Sequence, residues 1–484
     1  MNKIAKNYLY NLLYQLVALI VPLITAPYLV RVIGAEGTGI YGYVNSVASL
    51  VTTMVLIGFF TYGNRQIAYV RDNPDAVNDT FWRLMTCRWI VGIFGTVVYV
   101  LVVLVSGRYY KYFALYYTYL LGYIVDCTWL FVGLEDMKWA VLKNMFLKLS
   151  AAILIFTLVK DSTDVDKYIL IQGGSILLAN LLAYTQLKRY VGKPKLIFNG
   201  IINDFKSAFM LFLPGVASTI YLQCDKIMIE LLSNQTAQVS QYDYAEKIVT
   251  IPLSFITVIS TVMMPRIANS FVKKESENIE ELINKITQFS LWLACPLTVG
   301  IATISLKLIP WYLGQNFYQA SWVIIIISPL VITNTLLGVS DGQYFTATNQ
   351  IGVMLKSQIT ACIVNVIVNI LLIPKYGMFG AAFASIISSL GCATMQYIHM
   401  CKQVKMSGLF LQGLKYFAFS VIMGTIILAA TTKMDATPYT NLIQFIIGVT
   451  VYFGLCIIFK DKILNYIISI INKRAKEKLV LWKK

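Results

Sequence analysis

The chain has 484 residues, 58% of them hydrophobic and only 13% Asp, Glu, Lys or Arg. A soluble globular protein carries about a quarter charged residues, so the composition argues against a soluble fold and against nucleic-acid binding, the usual meaning of a basic chain. The formal charge of +17, from 40 basic and 23 acidic residues with His399 as the single histidine, is to be explained by position relative to a bilayer.

A membrane helix needs about 20 mainly apolar residues. Such stretches occur near 8–30, 39–60, 81–105, 112–133, 139–159, 168–187, 208–232, 240–264, 286–306, 320–340, 351–373, 378–400, 412–431 and 439–459. The expected fold class is therefore an all-α polytopic membrane protein of about fourteen spans. The first span follows Lys3 and Lys6 as a signal peptide would, but its apolar stretch is too long for one, and it reads as a retained helix. With the N-terminus inside, 30 basic residues fall on the cytoplasmic side and 8 on the other. That asymmetry follows the positive-inside rule and places both termini in the cytoplasm. Lys226 and Lys247 remain at membrane depth. The eight cysteines are scattered without a CxxC pair, so they read as small buried hydrophobes, not a metal or disulfide framework.

The chain echoes itself at an offset of 201 residues: Tyr41-Gly-Tyr43 matches Tyr242-Asp-Tyr244, and Arg65 matches Arg266. The copies share an orientation, as two six-helix lobes in parallel repeat would. The expected division is an N-lobe over 1–190, a Lys-rich cytoplasmic linker at 191–207, a C-lobe over 208–400, two further spans in 401–460 and a basic cytoplasmic tail at 461–484. The tail from 464 reads either as an interfacial helix on the inner leaflet or as a solvated segment.

Three stretches carry a family resemblance: PLITAPYLVRVIGAEGTGIYGYVNS at 22–46 with TYGNRQIA at 61–68, CDKIMIELLSNQTAQVSQYDYAEKIVTIP at 224–252, and VNVIVNILLIPKYGMFGAAFAS at 364–385. They resemble the Wzx-type polysaccharide and oligosaccharide flippases of the multidrug/oligosaccharidyl-lipid/polysaccharide exporter superfamily. The resemblance implies a fourteen-helix transporter in the bacterial cytoplasmic membrane. It would move an undecaprenyl-pyrophosphate-linked glycan from the inner to the outer leaflet, next to membrane lipids. A glycan polymerase or glycosyltransferases of the same pathway would be its partners. The glycan, whether a capsule repeat, a teichoic-acid precursor or another unit, is left open.

Ionisable groups at membrane depth cost about 2.5–3.5 kcal/mol each even on lenient scales, and here they cluster. Asp225, Lys226 and Glu230 lie in the seventh span, with Gln223, Lys226 and Glu230 on one helix face. Asp243, Glu246 and Lys247 open the eighth. In the first half Arg31 ends span one, Arg83 and Arg88 enter span three, Asp126 sits inside span four, and Lys143 and Lys148 enter span five. One reading makes Arg31, Lys226, Lys247 and Arg88, with Asn365 and Asn369, the lining of a cleft for a pyrophosphate-sugar head group. Asp126, Asp225, Glu230, Asp243 and Glu246 then hold those cations or couple a Na⁺ or H⁺. The other reading is interhelical pairing that fixes packing, or snorkelling near helix ends. It weighs most on Arg83, Lys143 and Lys148, near the cytoplasmic surface. Gln172 and Asn180 in span six admit the same two readings.

No metal or organic cofactor is expected, and no nucleotide-binding loop occurs. A non-enzymatic transporter is the preferred reading, driven by an ion gradient or the membrane potential through alternating access. A multidrug extruder of the same superfamily is the principal alternative. A membrane glycosyltransferase, suggested by Asp164-Val-Asp166, and a polymerase rank lower.

Overall fold

The computed structural model describes residues 3–56, 58–253, 276–406, 408–465 and 467–469. Among these the chain is helical and contains no β-strand. Its first half runs α1 (Lys3–Val32), α2 (Gly34–Leu56), α3 (Phe59–Val70), α4 (Pro74–Ser106), α5 (Tyr110–Ile124), α6 (Thr128–Gly133), α7 (Met137–Leu158), α8 (Val165–Leu187) and α9 (Ile201–Ser233). Residues 236–253 form the described part of α10. The second half runs α11 (Ser276–Tyr312), α12 (Tyr318–Ile327), α13 (Leu330–Leu337), a π-helical segment (Gly338–Phe345), α14 (Ile351–Tyr376), α15 (Met378–Cys401), α16 (Leu409–Thr431) and α17 (Pro438–Ile458).

Eleven helices among the described residues are long and apolar enough to cross a membrane. A pair bent by 46°, Gln315–Ile327 with Leu330–Phe345, makes a twelfth if it is one span. The expected total of fourteen also includes 208–232, within α9, and 240–264, which extends past the described residues. Arg266 of the repeat and the tail beyond 469 likewise lie outside them. The 201-residue offset reappears in the helix ends, since α1 stops at Val32 and α9 at Ser233. The outer faces are those of a chain solvated by lipid. Ile93, Phe94, Leu101, Leu104 and Val105 of α4 are exposed, Val105 to 87%. A water-soluble monomer does not present an apolar band of this kind.

Two expected spans are broken. The stretch expected at 39–60 is divided between α2 and α3 at Gly58, whose φ is +65°. That expected at 112–133 breaks at Val125–Cys127, between α5 and α6. Hydropathy averages over both interruptions and does not register them.

The chain divides into two compact units by packing. One comprises Met1–Asp243 with Val366–Ala381, and the other Tyr244–Asn365 with Ala382–Lys484. This division is distinct from the lobe boundaries drawn from the repeat. In the first unit α2 lies so close to the start of α10 that a Cβ on Gly39 would stand 2.0 Å from the Thr236 carbonyl oxygen. The neighbouring Thr38 and Ser240 hydroxyls are 2.6 Å apart. Small residues allow such backbone approach in membranes, where packing and hydrogen bonds replace the hydrophobic drive. The linker docks on the start of α4: Arg83 pairs with Asp204 at 2.7 Å, and the Ile197 N–H donates to the Thr86 hydroxyl.

In the second unit α11, α16 and α17 enclose a core of Trp292, Cys295, Phe419, Met423, Tyr452 and Cys456. Just past α17, Asp461 accepts from Lys415 at 2.7 Å and from the Tyr416 hydroxyl at 3.1 Å. Burial works against its charge, but Lys415 and the backbone N–H of Leu464 hold the carboxyl below its ordinary range. A depressed carboxylate contributes stability above its unfolded pKa and loses it as pH falls through the folded value. We expect Asp461→Asn to lower stability in detergent by about 2 kcal/mol, the weight of a charge-assisted hydrogen bond. Thermal unfolding at neutral pH checks this, and the deficit should shrink in acid.

Candidate functional site

The break between α5 and α6 is the starting point, because a helix end exposes carbonyls that lipid cannot satisfy. Arg88 of α4 supplies donors to one of them. Its Nε and Nη2 donate to the Tyr123 carbonyl at 3.0 and 2.5 Å. Asn180 of α8 supplies the next, its Nδ2 donating to the Gly122 carbonyl at 2.9 Å. Asp126, at the break itself, takes up the start of α6. Its Oδ1 accepts from the Thr128 N–H at 3.0 Å and the Thr128 hydroxyl at 2.5 Å, and its Oδ2 lies 3.7 Å from Arg88 Nη2. Lys143 of α7 closes the network, donating to the Thr128 hydroxyl and to Asn180 Oδ1 at 2.8 and 2.7 Å. Arg88 is fully buried. Arg88, Asn180 and Asp126 thus complete helix ends that an uninterrupted span would not have needed, and Lys143 ties Thr128 to Asn180.

Beside this network lies a cavity of about 460 Å³ within the first unit. Tyr14, Tyr119, Asp126, Asn144, Lys148 and Asn180 are among the residues that line it. Lys148 stands about 10 Å along α7 from Val141, the start of its apolar stretch, at 1.5 Å per residue. Its Nζ lies 5.8 Å from the centre of the Tyr14 ring and within 4 Å of no carboxylate among the described residues. Amides, phenols, a carboxylate and an ammonium group facing one space suit a polar, hydroxyl-rich or anionic guest.

The second cluster, also in the first unit, joins α9, the start of α10 and the end of α14. Asp225 accepts from the Tyr242 hydroxyl and from Asn369 Nδ2, each at 2.7 Å. Lys226 pairs with Asp243 at 3.4 Å, both side chains less than a tenth exposed. Glu230, 1% exposed, accepts from the Tyr109 and Thr236 hydroxyls and lies 3.5 Å from Arg108. Arg31 is exposed and donates to the Pro27 carbonyl at 3.1 Å. In the second unit Lys247 is exposed, 5.1 Å over the Tyr244 ring, Glu246 is half-buried, and Asn365 is fully buried.

The Asp164-Val-Asp166 pair is occupied by cations. Lys167 sits 2.6 Å from Asp164, and Lys111 sits 2.9 Å from Asp166. Asp164 is held at about 2, first by Lys167 and then by the N–H groups of Lys160 and Asp161. It serves as a turn staple ahead of α8.

A model of the family described as "Polysaccharide biosynthesis protein" matches residues 4–271. The chain belongs to that family. Among curated relatives, it is 25% identical to the "Putative O-antigen transporter" of Escherichia coli K12, over 71% of this chain and 84% of that one. It is 24% identical to the "Probable low-salt glycan biosynthesis flippase Agl15" of Haloferax volcanii, over 62% of each. Among solved structures, the lipid II flippase MurJ in an inward closed conformation superposes with a TM-score of 0.68 at 15% identity, over 95% of this chain and 100% of that one. An inward-facing MATE-family multidrug transporter gives 0.64 at 11% identity, over 82% and 95%. These two likenesses establish the fold, that shared by the MurJ flippase and the MATE-family transporter. Within the family, a flippase of the polysaccharide type is the function that the relatives support.

Proposed function

We propose that this protein carries a polyprenyl-pyrophosphate-linked oligosaccharide from the inner to the outer leaflet of a bacterial cytoplasmic membrane by alternating access. The match to the polysaccharide biosynthesis family over more than half of the chain carries the reading. The cavity beside Lys148 supports it chemically, because a pyrophosphate-sugar presents both negative oxygens and hydroxyls while its polyprenyl tail stays in lipid. In a low-dielectric setting one ammonium near a phosphate is worth far more than in water. Arg31, exposed at the end of α1, is a second cation offered to the phosphates. Both termini are cytoplasmic under the topology read from the basic residues. The cargo is a surface-glycan precursor of the capsule or teichoic-acid kind, assembled and polymerised by enzymes of the same pathway. An ion gradient drives the cycle, with Na⁺ or H⁺ as the coupling ion.

Deletion of the gene tests this directly: lipid-linked oligosaccharide should accumulate while the surface polymer disappears. Unchanged lipid-linked pools would contradict the assignment. Lys148→Gln should lower export about tenfold, the weight of one charge-assisted hydrogen bond of about 1.5 kcal/mol. Quantifying surface glycan at matched protein level checks it.

A further inference from the structure

In the second unit the bent span ends in a π-helical segment, Gly338–Phe345, that contains Asp341. Short π-helical insertions are rare and recur at functional positions. Asp341 belongs to no ion pair among the described residues, although buried or membrane-depth carboxylates normally have a cation near them. Its partner is an amide: Gln358 Nε2 of α14 donates to Asp341 Oδ2 at 3.0 Å. The two remaining oxygens of this pair, Asp341 Oδ1 and Gln358 Oε1, are buried and have no hydrogen-bond donor.

The surroundings hold amides, hydroxyls and apolar groups, and the Gln396 amide faces Asp341 as a second, more distant donor. Gln396 of α15 accepts from the Ser340 hydroxyl and donates to Ser357 at 2.9 Å. The Tyr344 hydroxyl donates to Gln403, and that of Tyr397 to the Leu336 carbonyl. From α11, Ile283 and Ile286 pack here, and the buried Thr287 hydroxyl lies within reach of Tyr397. His399 meets the Phe345 ring, and Cys392 is the nearest thiol, itself within reach of Gln396. Two buried acceptors, one on each member of a bonded pair, thus have no donor at ordinary hydrogen-bond distance. An unmade buried hydrogen bond costs about 1–3 kcal/mol.

We propose that Asp341 and Gln358 form a proton-binding site. One proton taken from water onto Asp341 Oδ1 is donated to Gln358 Oε1, while Gln358 Nε2 continues to donate to Oδ2. A carboxylic acid and a primary amide so arranged close a ring of two hydrogen bonds that satisfies both orphan oxygens. Loss of the proton opens one side of the ring and returns a negative charge to a buried setting with no ion-pair partner among the described residues. Protonation is thereby linked to the packing of the π-helical segment against α14. The site stands whatever the cargo, and it names a proton as the ion that this segment senses.

Infrared pH-difference spectra of the full-length protein in phosphatidylethanolamine–phosphatidylglycerol nanodiscs test it. Wild type should show a carboxylic-acid carbonyl band whose intensity depends on pH. Asp341→Asn should remove that band, and Gln358→Leu should move it to the frequency of a carbonyl without a hydrogen bond. Asp126→Asn should leave it in place. Hydrogen exchange in 338–345, corrected for intrinsic rates, should depend on pH in wild type and lose that dependence in Asp341→Asn. Spectra and exchange indistinguishable between wild type and both Asp341 and Gln358 variants would overturn the proposal. Thermal unfolding confirms that each variant is folded, and Gln358→Leu carries the test if Asp341→Asn is not.

Discussion

Cells whose only copy carries Lys226→Gln are expected to lose surface-glycan export while the protein still inserts in the membrane. Lys226 and Asp243 form a buried pair at 3.4 Å, each next in the chain to a member of the Asp225–Tyr242 hydrogen bond, which Asn369 joins as a second donor to Asp225. Removing one member of such a pair strands the other and costs about 3–5 kcal/mol. Lost export alone would therefore be ambiguous between a damaged structure and a missing cation. The double variant Lys226→Gln with Asp243→Asn separates the two, because it removes both charges and keeps similar shape. If the lysine acts on the anionic cargo, the double variant folds with near wild-type stability and still fails to export. If the pair only fixes α9 to α10, the double variant regains export. Lys226→Arg should retain activity, since the charge and the reach survive. Surface glycan measured per inserted protein is the readout.

Arg88→Gln should act on stability before it acts on transport. The guanidinium is fully buried, and two of its nitrogens finish the Tyr123 carbonyl at the break between α5 and α6. Glutamine is too short to reproduce the bidentate contact and leaves Asp126 without its cation. A loss of about 3–5 kcal/mol is expected, the usual cost of uncoupling a buried charge. Asp126→Asn should cost less, because an amide oxygen still accepts from the Thr128 N–H, and the double variant should fall short of the sum of the two. Detergent-solubilised unfolding curves for the four proteins measure this coupling. Additive effects would remove Arg88 and Asp126 from a common role at the break.

The helical fold and the family were legible in the sequence, because each rests on composition or local pattern. Apolar length marked the spans. Asp126 stood out as a costly charge, but its task was hidden. The break that it completes depends on Arg88 and Asn180, 38 and 54 residues away, arriving from α4 and α8. No periodicity signals such a meeting. Lys148 looked like a residue near the cytoplasmic surface, and only the packing of α1, α5 and α8 around α7 makes it a cavity wall. Asn144 and Tyr14 went unnoticed for the same reason. Asp341 lies one residue past the span expected at 320–340 and drew no reading, since the π-helical extension that encloses it follows from contacts with α14 and α15.

Purified protein reconstituted in vesicles with a lipid-linked oligosaccharide in both leaflets tests the central claim most directly. A membrane-impermeant enzyme that cleaves the glycan from outside reports how much of the lipid each leaflet holds. Wild-type protein should render nearly all of the lipid accessible, Lys148→Gln vesicles should approach that level about tenfold more slowly, and Lys226→Gln vesicles should stop near the half that faces outward from the start. Equal protection with and without wild-type protein would contradict transport of this class of lipid.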